Sequence, residues 1–153
     1  MVHALKETWR VLVPGGTLLD LRPRSARFKV EMLTPTDVVS VGTVDAYGAQ
    51  SDDAAADGAA RLMVEEGTFG FRKKTHFHVE FNFGTVGELA SFAAESRRVE
   101  CVTPSYAELE TIFRDLSAKF GEVRLRYRRP MMLAVYHKPD PQNVPNKATL
   151  SVS

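Results

Sequence analysis

Leu5, Trp9, Leu12 and Val13 recur at offsets of zero, four, seven and eight, which puts them on one helical face and predicts a helix over 2–13. Pro14-Gly15-Gly16 ends it, because proline breaks the hydrogen-bond ladder and glycine admits a sharp turn. Thr17-Leu18-Leu19-Asp20-Leu21 follows, short and mostly apolar, as suits a strand covered on both faces. Two further strands are predicted over 27–33 and 38–46, parted by the turn residues Thr34-Pro35-Thr36-Asp37. A polar loop over 48–53 leads to an alanine-rich helix over 53–65, with Asp52 or Asp53 as its cap. From about Thr68 to Phe83 the pattern alternates: Phe77, Val79, Phe81 and Phe83 share one strand face, and His76, His78, Glu80 and Asn82 the other.

Thr85 and Glu88 have capping-box spacing and open a short helix to about Ser96. The clearest helix is 104–120, with Pro104 in its first turn and an apolar stripe of Tyr106, Leu109, Ile112, Phe113, Leu116 and Phe120. Gly121 stops it. Residues 123–128 and 131–138 read as two strands with Arg129-Pro130 at the bend, and 139–153 as a loose tail.

Composition narrows the class without naming a function. The chain has 153 residues, 44% hydrophobic and 25% charged, enough for a packed core and ordinary for a globular protein. A net charge of +1 gives no global attraction to nucleic acid, which is not an expected partner. Cys101 is the sole cysteine, so the monomer holds no disulfide. A buried structural thiol is the expected role for it. With no signal-peptide pattern and no apolar run near the roughly 20 residues a bilayer requires, the chain reads as cytoplasmic and free of the membrane.

The stretch from Ala4 to Asp20, with its Leu12-Val13-Pro14-Gly15-Gly16 turn, resembles part of the class I S-adenosylmethionine (SAM) methyltransferases. There a helix ends in a leucine-x-proline-glycine-glycine turn and enters the fifth strand of the sheet. The helix 104–120, Gly121 and the run Leu133-Ala134-Val135-Tyr136-His137-Lys138-Pro139 are similar to the family's last helix and closing strands. The resemblance covers about 4–23 and 104–139. It implies an α/β fold: a partial Rossmann-like methyltransferase sheet, mixed, with antiparallel closing strands and an inserted α+β region. The expected layout is one domain over 1–138, with 24–103 as the insertion.

The family's glycine-rich cofactor loop and ribose-binding acid precede the segment seen here, and Gly15-Gly16 is not that loop, since it leads from helix to strand. The isolated chain is therefore expected to hold no cofactor, and SAM only if a partner supplies the other half. In the family the fifth strand has a neighbour on each side. Without one of them, Leu18, Leu19 and Leu21 lie on an open apolar edge, to be covered by a second copy, a partner subunit or the inserted strands.

Three clusters are candidates for chemistry. His76, His78 and Glu80 project together from one strand face and make a plausible set for zinc or another first-row metal. The same alternation belongs equally to the polar face of a half-buried strand. Arg22 and Arg24, placed just past the carboxyl end of the first strand, are candidates for a substrate anion, because open α/β sheets bind ligands there. Arg124, Arg126, Arg128 and Arg129, with Arg72-Lys73-Lys74, form a further cationic set, read either as an anion site or as a solvated face. Trp9 is expected in the core; Phe77, Phe81 and Phe83 are candidates for a pocket that takes an apolar substrate, with core packing the expected use. Three functions follow: a methyltransferase-like protein dependent on a partner, a non-catalytic homodimeric or regulatory protein, and a metal-binding protein.

Overall fold

The computed structural model describes residues 2–46, 48, 50–95 and 101–143, with Cys101 described in its backbone alone. Residues 144–153 of the expected tail, Ser96 at the expected helix end and the Cys101 thiol lie outside the described residues. Among the described residues the chain is α/β, with four α-helices and an open, mostly antiparallel sheet of six strands. The helices are α1 (Val2–Val11), α2 (Gln50–Glu65), α3 (Val86–Glu95) and α4 (Tyr106–Phe120). The strands are β1 (Thr17–Pro23), β2 (Arg27–Leu33), β3 (Val38–Asp45), β4 (Gly70–Phe83), β5 (Cys101–Thr103) and β6 (Arg124–His137). Their order is β1-β6-β2-β3-β5, and β4 also pairs with β6. Pairings β2–β3, β2–β6 and β3–β5 are all antiparallel, so the parallel component of the expected mixed sheet has no counterpart among them. No helix among the described residues is long and apolar enough to cross a membrane.

The chain divides into two compact units: Met1–Asp20, Ala55–Thr75 and Leu133–Ser153 form the first, and Leu21–Ala54 and His76–Met132 the second. By these bounds α4 belongs to the second unit and the proline-glycine-glycine turn to the first.

In the first unit, Ala56, Ala59, Ala60 and Met63 occupy one stripe of α2 and are buried. Gly67, at φ 71°, reverses the chain after α2 and delivers Phe69 to the core, where it is 2% exposed. Gly70 lies under the His137 imidazole so closely that even a methyl group there would collide with the ring. The expected packing of α1 is not found: none of its residues is buried, and Trp9 is 40% exposed. Periodicity names a helical face; it does not supply the surface that covers it.

In the second unit, Phe28, Val30 and Met32 of β2 alternate into the core with Leu125 and Tyr127 of β6, and Val86, Leu89 and Leu109 pack against them. The β2–β3 hairpin turns through Thr34 and Asp37, whose backbone N–H donates to the Thr34 hydroxyl at 3.0 Å. α4 is capped by Ser105, not entered through Pro104, and Ser105 with Glu108 forms a reciprocal capping box. Hydrogen bonds from the Ser105 hydroxyl and then its backbone N–H hold the Glu108 carboxyl below the usual range. The expected break at Arg129-Pro130 does not occur. Proline removes one donor, but its carbonyl still accepts from Arg24 N–H at 3.0 Å, and β6 runs through.

Tyr127 sits among Phe28, Phe81 and Phe92, with ring centroids 5.4–5.9 Å away. Burial pushes its phenol up to about 12, offset in part by the charge of Arg129. The folded state thus keeps a proton that the unfolded chain releases at about pH 10. The resulting stability is complete below that value and is lost as pH rises through about 12. Denaturant midpoints measured across this alkaline window are expected to fall more steeply for the wild type than for Tyr127→Phe; parallel curves contradict the assignment.

Candidate functional site

The turn that carries the resemblance is locked by a residue far along the chain. Lys138 Nζ donates to the carbonyls of Trp9 at 2.8 Å and Leu12 at 2.7 Å, at the carboxyl end of α1. Those carbonyls have no helical partner, and a cation is favoured beside them. The same ammonium lies 4.1 Å from the centroid of the Trp9 ring. The Lys138 backbone meanwhile accepts from Gly15 N–H at 3.0 Å and donates to the Gly16 carbonyl at 2.8 Å. Gly15 holds φ 75°, and a side chain at Gly16 would meet the Val13 carbonyl at 2.8 Å, so both glycines are required by the turn.

β1, the strand this turn feeds, stands at the end of the sheet. Among the described residues it pairs with β6 alone, and β2, β3 and β5, the strands expected as an insertion, do not pair with it. The Gly15 and Gly16 bonds to Lys138, and that of Arg24 to Pro130, run in opposite chain directions, so β1 and β6 are antiparallel. Leu19 is 62% exposed, and Leu21 on the same strand 57%. An apolar strand with one bare edge and bare leucines is a template for a further strand.

Arg22 lies inside β1, which extends to Pro23, and is not past the strand end as expected; Arg24 is the first residue beyond it. Both are partly buried and both make interactions of their own.

His76 and His78 are exposed on β4. Glu80 is turned to other work: its carboxylate lies 3.2 Å from Arg128 Nε and 3.6 Å from Arg126 Nη1. Arg126 sits opposite Glu31 in the β2–β6 register and pairs with it at 2.8 Å. Two guanidinium groups thus compete for the oxygens a metal would use. Among the described residues no group of three or more His, Cys, Asp or Glu side chains is placed to hold a metal ion. Arg124 is likewise engaged, by Glu122 at 2.8 Å. The cationic stripe of β6 is largely neutralised by carboxylates, which favours the framework reading over an anion site. Of the three expected core phenylalanines, Phe81 and Phe83 pack against the core of the second unit, while Phe77 is 37% exposed.

Glu31 and Lys138 escaped the sequence reading as individual side chains. Glu31 carries no signal in a single strand, since its partner is set by register. Lys138 stood only as part of a closing lysine-proline, which says nothing of the helix end it caps.

Comparison with known proteins found nothing similar: no family model, no curated protein and no solved structure matches this chain.

Proposed function

We propose that this chain is the carboxy-terminal part of a methyltransferase-like fold, competent for SAM only when a cofactor half from outside these 153 residues is added at β1. The observation that carries the reading is the bare edge of β1. It is fed by the proline-glycine-glycine turn, flanked on its other side by the antiparallel closing strand β6, and exposes Leu19. In this reading the partner contributes the glycine-rich loop and the ribose-binding acid, and this chain contributes the closing strands. The reaction is transfer of the SAM methyl group to a nucleophile.

The same edge supports a second reading, in which two copies pair through β1 and act by association without cofactor. The two part company on two measurements. Isothermal titration of SAM into the purified chain is expected to give no saturable heat; micromolar saturable binding by the chain alone overturns the proposal. Hydrogen exchange over 17–21, followed with sedimentation as protein concentration rises, reads the pairing. Protection that grows together with a dimer supports the associative reading.

A further inference from the structure

On α2, Asp57, Ala60, Arg61 and Val64 fall at offsets of zero, three, four and seven, a single helical stripe. With Phe71 and Lys74 of β4 and Tyr136 of β6 they line a cavity of about 380 Å³. All seven residues belong to the first unit. The volume lies within the range of small-molecule sites, about 300–1,000 Å³.

The lining divides into an apolar part and a charged part. Phe71 is 51% exposed, and Tyr136 backs it edge to face with centroids 5.8 Å apart. A half-exposed ring supported by a second ring keeps apolar area in water and offers a stacking surface to a planar ligand. Lys74 Nζ and Asp57 stand 3.9 Å apart, the outer limit of an ion pair. Arg61 and Lys74 against Asp57 leave one positive charge on the lining. That balance disfavours a cationic ligand and favours a single anionic group, for which the guanidinium fork of Arg61 is suited.

We propose that this cavity binds a small planar aromatic anion, its ring on Phe71 and Tyr136 and its carboxylate or phosphate on Arg61 and Lys74. The site uses no residue of β1, so it stands or falls apart from the methyl-transfer reading.

Benzoate, naphthoate and adenosine monophosphate serve as probes in a titration of the isotope-labelled chain, followed by amide shifts. At least one is expected to saturate, with shifts concentrated at Ala60, Arg61, Phe71, Lys74 and Tyr136. Arg61→Gln and Phe71→Ala are each expected to weaken it about tenfold, the loss of one charge-assisted contact or one stacking partner. Arg61 and Phe71 are exposed, and unchanged amide spectra away from the cavity confirm that the variants keep the fold. Saturation by none of the three probes overturns the proposal. So does unchanged affinity in either variant, because the site requires both the ring and the charge.

Discussion

Replacing Arg126 with alanine is expected to cost the second unit about 3 kcal/mol or more. Glu31 is only 7% exposed and stands opposite Arg126 in the sheet, where both Nε and Nη2 of the guanidinium reach one of its oxygens at 2.8 Å. Removing the arginine leaves a carboxylate out of water with its partner gone, and that desolvation penalty is the main loss. Replacing both residues by methionine removes the stranded charge along with the pair. It is expected to return stability to within about 1–2 kcal/mol of the wild type. Urea unfolding of the single and double variants measures both quantities. A loss below about 1 kcal/mol for Arg126→Ala, the range of exposed pairs, contradicts the account. Glu80→Gln is expected to cost much less, because Glu80 is 42% exposed and one of its two arginines, Arg126, keeps Glu31 as a partner.

Lys138→Met is expected to destabilise the first unit by about 2–3 kcal/mol. Methionine keeps the length and the apolar stem but loses two charge-assisted hydrogen bonds to the end of α1 and the cation over Trp9. No residue of α1 is fully buried, so these contacts weigh more in holding it. Trp9 is the sole tryptophan of the chain, so its emission reports the event directly. A red shift in the variant, with faster amide exchange over 8–16, is the expected result. An unchanged emission spectrum together with an unchanged melting curve rules the latch out.

Local chemistry was legible wherever a local rule decides the outcome. β2 and β3 have the expected extents to within a residue, because the turn at Thr34–Asp37 and the flanking β-branched residues fix both ends. α4 has its expected stripe and its stop at Gly121, while its start moves to Ser105 because the Ser105–Glu108 box satisfies the first free N–H groups better than Pro104 can. What stayed hidden depends on register and on neighbours. Glu80 reads as a metal ligand in one dimension, and only the placement of β6 beside β4 brings it Arg126 and Arg128. Trp9 reads as core because its helix has an apolar face, yet no pattern states how far that face is covered, and Trp9 stays 40% exposed. The cavity on α2 was equally hidden. Its residues come from three elements, α2, β4 and β6, which only the fold brings together.

The distance along the chain between a lysine and the helix it caps has a kinetic meaning. Leu12 and Lys138 are separated by 126 residues, and the first unit is built from three separate stretches. During synthesis, α1 and the leucines of β1 leave the ribosome long before the strand that pairs with them exists. Non-local closure of this kind is slow, and the waiting segment is open to wrong partners or to a chaperone in the meantime. Fusing a short linker and a copy of 131–139 directly behind Pro23 would make that pairing local. It is a direct way to ask whether the yield of soluble protein is set by stability or by the order in which the pieces appear.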